Sequence, residues 1–144
     1  MNEFITKFFQ STGDCQNEFF SPATEDSIVE LEGHLNIHLP KSYRDFLLHS
    51  NGFEGSINDF FVSLEPVETI LATTEVTCKY FPWAVYIGTN GNLEMFVIDK
   101  RKQPYQFGLL PYIADDNDFI PLGDTFEKFI NRLYNDTALK RNYD

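Results

Sequence analysis

At Asn51-Gly52 the apolar residues of this chain stop recurring every three to four positions and begin to alternate. The helical rhythm returns briefly at residues 65–76 and most clearly after Asp124, where Phe126, Phe129, Ile130, Leu133 and Tyr134 fall on one helical stripe. A run of helices, then strands, then a helix excludes alternating βαβ units. It predicts one α+β domain of N-terminal helices packed on a mostly antiparallel (mixed) sheet with a C-terminal helix. The length of 144 residues suits one core and one domain spanning residues 1–144.

The helical part is closely punctuated. Phe4, Ile5, Phe8 and Phe9 suggest a short docking helix, followed by a loop anchored by Phe19 and Phe20. Thr24, Glu25 and Asp26 suit a helix start, Ile28, Leu31 and Leu35 its inner face, and Asn36 a left-handed stop. Pro40 opens the next helix, whose inner face is Tyr43, Phe46, Leu47 and Ser50 and whose outer face is Lys41, Arg44 and Asp45. Asn51 and a left-handed Gly52 are expected to end it.

The strand part begins with a strand or hairpin in "SINDFFVSL", Asn58 and Asp59 being the candidate turn, and a crossing helix in "EPVETILATTEV" with Val67, Ile70 and Leu71 inward. The apolar run 83–88, "WAVYIG", predicts a strand covered on both faces. Asn90-Gly91 predicts a type I′ turn into "LEMFVID". A strand ending at Pro111, an acidic loop "ADDND" and an edge strand containing Pro121 complete the sheet, and Asp124 or Thr125 caps the last helix.

Composition bounds the function. No apolar run approaches the ~18 residues that span a bilayer, and the N-terminus has no signal-peptide pattern, so a cytoplasmic location and no membrane partner are expected. Asp and Glu number 22 against 11 Lys and Arg, a formal charge of −11 that repels nucleic acid and attracts a basic protein. Cys15 and Cys78 have no metal or disulfide spacing and read as buried or half-buried thiols. His34 and His38 are spaced as helical zinc ligands, but Asn36 and Pro40 place a helix end between them, so no metal is expected. His49 reads as a helix-end histidine facing the negative dipole. The window 116–127 has Ile120 and Pro121 where a calcium loop needs an oxygen ligand and a glycine. No phosphate-binding loop, nucleophile elbow or zinc-protease motif is present, and neither an enzyme nor a cofactor is expected.

The run Ile28 to Gly52, with Glu32, Leu35, Leu39, Pro40, Tyr43, Phe46, Leu47, Asn51 and Gly52 in order, resembles the opening signature of the SUKH superfamily. The "WAVYIGTNGNLEMFVID" and "IPLGDTFEKFINRL" segments are similar to its central strands and closing helix, extending the likeness over about residues 22–134. The resemblance implies a bacterial immunity protein that binds and neutralises a cognate toxin domain, such as a nuclease of a polymorphic toxin system. The alternative it implies is a regulatory or scaffolding adaptor. Charge complementarity with such a toxin selects Glu54, Asp59, Glu94, Asp115, Asp116 and Asp118 as contact residues, with Phe53, Phe60 and Tyr112 as anchors if exposed.

Overall fold

The computed structural model describes residues 17–57, 60–91 and 93–135. The expected helix over Phe4–Phe9, Cys15, Asp59 and the trailing "KRNYD" lie outside them. Helix α1 (Glu25–Leu35) starts at a capping box in which Thr24 Oγ1 accepts from Ser27 N and Ser27 Oγ accepts from Thr24 N, each at 3.1 Å. It stops at Asn36, whose φ of 57° and ψ of 40° are left-handed, as a short polar side chain allows. Helix α2 (Lys41–His49) follows directly behind Pro40. Between the helices the Glu32 carboxylate accepts from Leu39 N at 2.7 Å, while Glu32 O accepts from Ile37 N at 3.2 Å. One residue thus holds the corner through both its side chain and its backbone. Replacing Glu32 with Ala strands the Leu39 amide, and thermal denaturation should show a loss of ~1.5–3 kcal/mol, with Gln recovering much of it.

The end of α2 differs from expectation. Ser50 is extended, at φ −152° and ψ 128°, and its N–H still reaches Phe46 O at 2.8 Å. Gly52 has positive φ, +116°, yet serves the sheet: a Cβ there would lie 2.6 Å from Leu64 O. Asn51 Oδ1 accepts from Val67 N at 2.9 Å and so caps helix α3 (Val67–Thr77), which Pro66 cannot do with a side-chain bond. The Asn-Gly pair therefore links α2 to the sheet and to the next helix, a long-range duty that local turn rules do not predict.

Strands β1 (Glu18–Phe19), β2 (Phe53–Ile57), β3 (Phe60–Leu64), β4 (Ala84–Thr89), β5 (Glu94–Asp99), β6 (Gln106–Pro111) and β7 (Ile120–Gly123) form one seven-stranded sheet in sequential order. Every pairing is antiparallel, with no parallel component among the described residues. The expected loop around Phe19 contains the short β1, where Phe19 tilts on Phe53 with centroids 5.1 Å apart. Phe20 is exposed and does not anchor it. A hairpin forms over 53–64 but begins earlier than expected, at Phe53, with Asn58 and Asp59 outside the described residues, whereas the β4–β5 connection is longer than a two-residue turn: its last paired residues are Thr89 and Met95.

β3 and β4 pair only at Ser63–Thr89 and Leu64–Gly88. Beyond that point α3 lies along the open edge of β4, and the buried Thr74 hydroxyl accepts from Tyr86 N at 3.0 Å. A helix side chain thereby satisfies an amide that a strand would otherwise take. Cys78 follows the last turn of α3 and is exposed, against expectation, because Thr74 and Thr77 occupy the inward positions.

Alternation along the strands separates two apolar layers. Val62, Leu64, Val85, Ile87, Phe96, Ile98, Phe107, Leu109 and Leu122 face the helices, meeting Ile28, Leu31, Tyr43, Phe46, Ile70, Phe126 and Phe129 in the main core. Helix α4 (Phe126–Asn135) enters through Thr125, whose Oγ1 accepts from Lys128 N at 3.1 Å, while Ser42 Oγ of α2 accepts from Phe126 N at 2.9 Å. Its Phe126 ring lies 4.9 Å from Phe46, 5.2 Å from Tyr43 and 5.9 Å from Phe107. The opposite sheet face carries a smaller cluster of Phe81, Trp83, Ala84, Tyr86, Met95, Val97 and Leu110, covered among the described residues by Ala114 and Phe119 rather than by an α-helix.

Candidate protein-binding face

Register places Glu54 of the sequence-predicted carboxylates on that opposite sheet face. Phe53 and Ile57 point to the helices, so Glu54 points away from them. Pairing carries the same side through a transverse row: Glu18 opposite Glu54, Glu54 opposite Ser63, Ser63 opposite Thr89, Thr89 opposite Met95. Glu18 and Glu54 are both exposed.

The acidic loop crosses the other half of the face. After β6 the chain runs back over the small cluster, with Phe119 so close to Gly108 that a Cβ there would meet its ring at 2.7 Å. Asp115 and Asp118 close a tight turn, Asp118 Oδ2 accepting from Asp115 N at 2.7 Å and Asp115 O from Asp118 N at 3.0 Å. Asp116 has a different task. Its Oδ1 accepts from Trp83 Nε1 at 2.8 Å and its carbonyl from Arg101 Nη1 at 3.2 Å. The Arg101 guanidinium lies 3.8 Å from the Trp83 ring centroid and forms a fork on Asp99, Nε to Oδ1 at 3.0 Å and Nη2 to Oδ2 at 2.9 Å. Hydrogen bonding to Asp99 raises the Arg101 pKa further above its already high value, so this cation stays charged and committed to Asp99.

Glu54, Asp115, Asp116 and Asp118 therefore share the exposed side of the sheet, with Asp116 partly occupied in holding the loop. Glu94 does not join them. It is only 6% exposed, tucked behind the β4–β5 connection, where Oε1 accepts from Asn90 Nδ2 at 3.3 Å and Asn90 Oδ1 accepts from Glu94 N at 3.3 Å. It organises the loop from inside, which alternation alone could not reveal. Of the expected aromatic anchors, Tyr112 is exposed and Phe53 is fully buried; Phe60 opens β3. Missed by the sequence reading were the exposed Phe61, Leu93 and Ile113. Apolar side chains read as core unless the register of several strands is known.

Burial raises the Glu94 pKa, with the Asn90 hydrogen bond opposing that rise. Between the ordinary glutamate range and the raised value, folded Glu94 keeps a proton that the unfolded chain has released. Stability must then fall as pH rises through that window. Glu94→Gln should raise Tm at pH 7–8, leave it nearly unchanged near pH 4, and flatten the pH dependence measured by calorimetry.

An open cleft of about 450 Å³ lies beside the clasp, lined among others by Asp99, Arg101, Gln106, Asp116 and Phe119. Its guanidinium is already matched by Asp99, so the clasp forms one polar wall of the cleft. Among the described residues no group of three or more His, Cys, Asp or Glu could hold a metal. α1 ends at Leu35, between His34 and His38, and the His38 side chain is fully exposed. His49 meets the Phe19 ring edge-on at 5.8 Å. No helix among the described residues is long and apolar enough to cross a membrane.

Among the described residues, α-helices packed on one side of a sequential antiparallel sheet, entered through a carboxylate-held corner, define a small α+β domain. The chain belongs to the SMI1/KNR4 family (SUKH-1), whose model matches residues 22–132. It is also similar to the uncharacterized protein YnaB of Bacillus subtilis (strain 168), 32% identical over 124 residues that cover 83% of this chain and 82% of that protein. The family includes immunity proteins.

Proposed function

We propose that this protein is an immunity protein, a non-enzymatic cytoplasmic antidote that binds a basic toxin domain and blocks it stoichiometrically. The observation that carries the reading is the convergence of Glu18, Glu54, Asp115, Asp116 and Asp118 on the sheet face away from the α-helices, in a chain of net charge −11. A nuclease-type toxin must present cations to a polyanion, and a fixed array of carboxylates competes for the same cations. Family membership supports the same reading, and the cofactor-free mode of action follows from inhibition by occlusion.

Co-expression with the toxin domain encoded beside its gene tests it: cells making both proteins should survive, and cells making the toxin alone should not. Equal killing with both chains folded would instead favour an adaptor. The charge component has its own readout. Glu54→Lys with Asp115→Lys should lower the association rate roughly 10-fold at low salt and much less at high salt, because steering is screened within a Debye length of about 8–10 Å.

A further inference from the structure

The strongest feature that charge does not explain is a group of uncovered apolar side chains at one end of the sheet. Ile113 is 97% exposed, Leu93 63%, Tyr112 48% and Phe61 41%. They come from β3, the β4–β5 connection and the segment after β6, yet the structure ties them together. Tyr112 N donates to Leu93 O at 3.0 Å and Tyr112 Oη to Thr89 Oγ1 at 2.9 Å. The same Thr89 hydroxyl donates to Glu94 O at 2.9 Å and accepts from Gly91 N at 3.1 Å. The Phe61 ring lies against Gly91, where a Cβ would come within 2.8 Å of it. Asn90 and Glu94 brace the connection from the buried side. This is a preorganised platform, so little side-chain and loop entropy remains to be lost on binding.

Its surroundings specify the occupant. No Lys or Arg occurs between Arg44 and Lys79, between Lys79 and Lys100, or between Lys102 and Lys128, and the platform is built wholly from these cation-free stretches. Glu54 stands two strands from Thr89 in the transverse row, about 10 Å at ordinary strand spacing. Asp115 follows Ile113 by two residues on the other flank. An apolar centre flanked by Glu54 and Asp115 fits an apolar depression ringed by Lys and Arg. A second copy of this chain would bring like charge to like charge.

We infer that Phe61, Leu93, Tyr112 and Ile113 are the anchor of the binding face and dock a basic protein surface through an apolar pocket. The inference deepens the immunity reading by naming its anchor. The carboxylates govern how fast the partner arrives, and the anchor governs how long it stays.

The test uses the full chain with the toxin domain encoded beside its gene. Ile113→Asp with Leu93→Ser should raise Kd at least 30-fold, mainly through a faster off-rate, with Tm unchanged because both side chains are exposed. Val29→Asp, on the exposed side of α1, should change Kd less than 2-fold. If the wild type protects cells and the double variant protects and binds equally well, the anchor is refuted while the immunity reading stands. If the wild type does not protect, that reading fails, and the anchor is decided by photo-crosslinking from position 113 in the native host. An adduct with a basic protein, formed from position 113 but not from position 29, and whose purified Kd shifts with the double variant, supports it. An adduct only with residues 1–16 of the same chain, only with a second copy, or none at all overturns it.

Discussion

Phe126→Ala should be the most damaging single core truncation, costing ~3–5 kcal/mol and lowering Tm by roughly 10 °C or more. The ring is fully buried and sits among Tyr43, Phe46, Phe107 and Phe129, so it joins the inner face of α2, the sheet and its own helix. Truncation leaves a cavity walled by three separate elements that cannot all close on it. Phe126→Leu should recover about half of the loss, since it refills much of the volume without the edge contacts. Equilibrium denaturation monitored by circular dichroism checks both, and a loss below ~1 kcal/mol for Ala would show that the core is not shared in this way.

Trp83→Ala should couple stability to function. Trp83 is nearly buried, meets Phe81 at 5.8 Å and Phe119 at 5.7 Å, supports Arg101 on its face and donates to Asp116. Its removal should cost ~3–5 kcal/mol by lost packing. It should also release the segment 112–119, because the Arg101 and Asp116 contacts share this ring. Hydrogen exchange at 112–119 should then accelerate at least 10-fold, and partner affinity should fall with it. Trp83→Phe keeps most of the packing and loses the indole donor, so it should cost ~1–2 kcal/mol and loosen the loop less. Retained slow exchange in the Ala variant would place the hold on the loop elsewhere.

Legibility followed the range of the interaction. The Thr24 cap, the Asn36 stop, the Pro40 entry and the stripe of the last helix are set by residues within four positions of one another, and each appears where its pattern put it. The family signature was legible in the same stretch, but the reason for Glu32 was not: its carboxylate acts on Leu39, seven positions ahead and outside its helix. Asn51 capping a helix sixteen residues away, and Thr74 completing the edge of β4, depend on how distant segments meet. The candidate face was half legible. Asp115, Asp116 and Asp118 announced themselves as a solvated cluster, while the burial of Glu94 and the exposure of Phe61, Leu93 and Ile113 required the strand register. An alternating pattern states that two faces exist; it does not say which one the helices cover.

The order of the sheet has a kinetic consequence. Each strand pairs with the one synthesised just before it, from β1 to β7, with α1 and α2 inserted between β1 and β2 and α3 between β3 and β4. From β2 onward pairing can therefore proceed as the chain leaves the ribosome, most additions closing a short loop at small entropic cost, while β1 must wait for both N-terminal helices to be made before β2 reaches it. Refolding should be fast for so sheet-rich a domain, and its slowest event should be the arrival of the last helix, which alone completes the aromatic centre shared with α2.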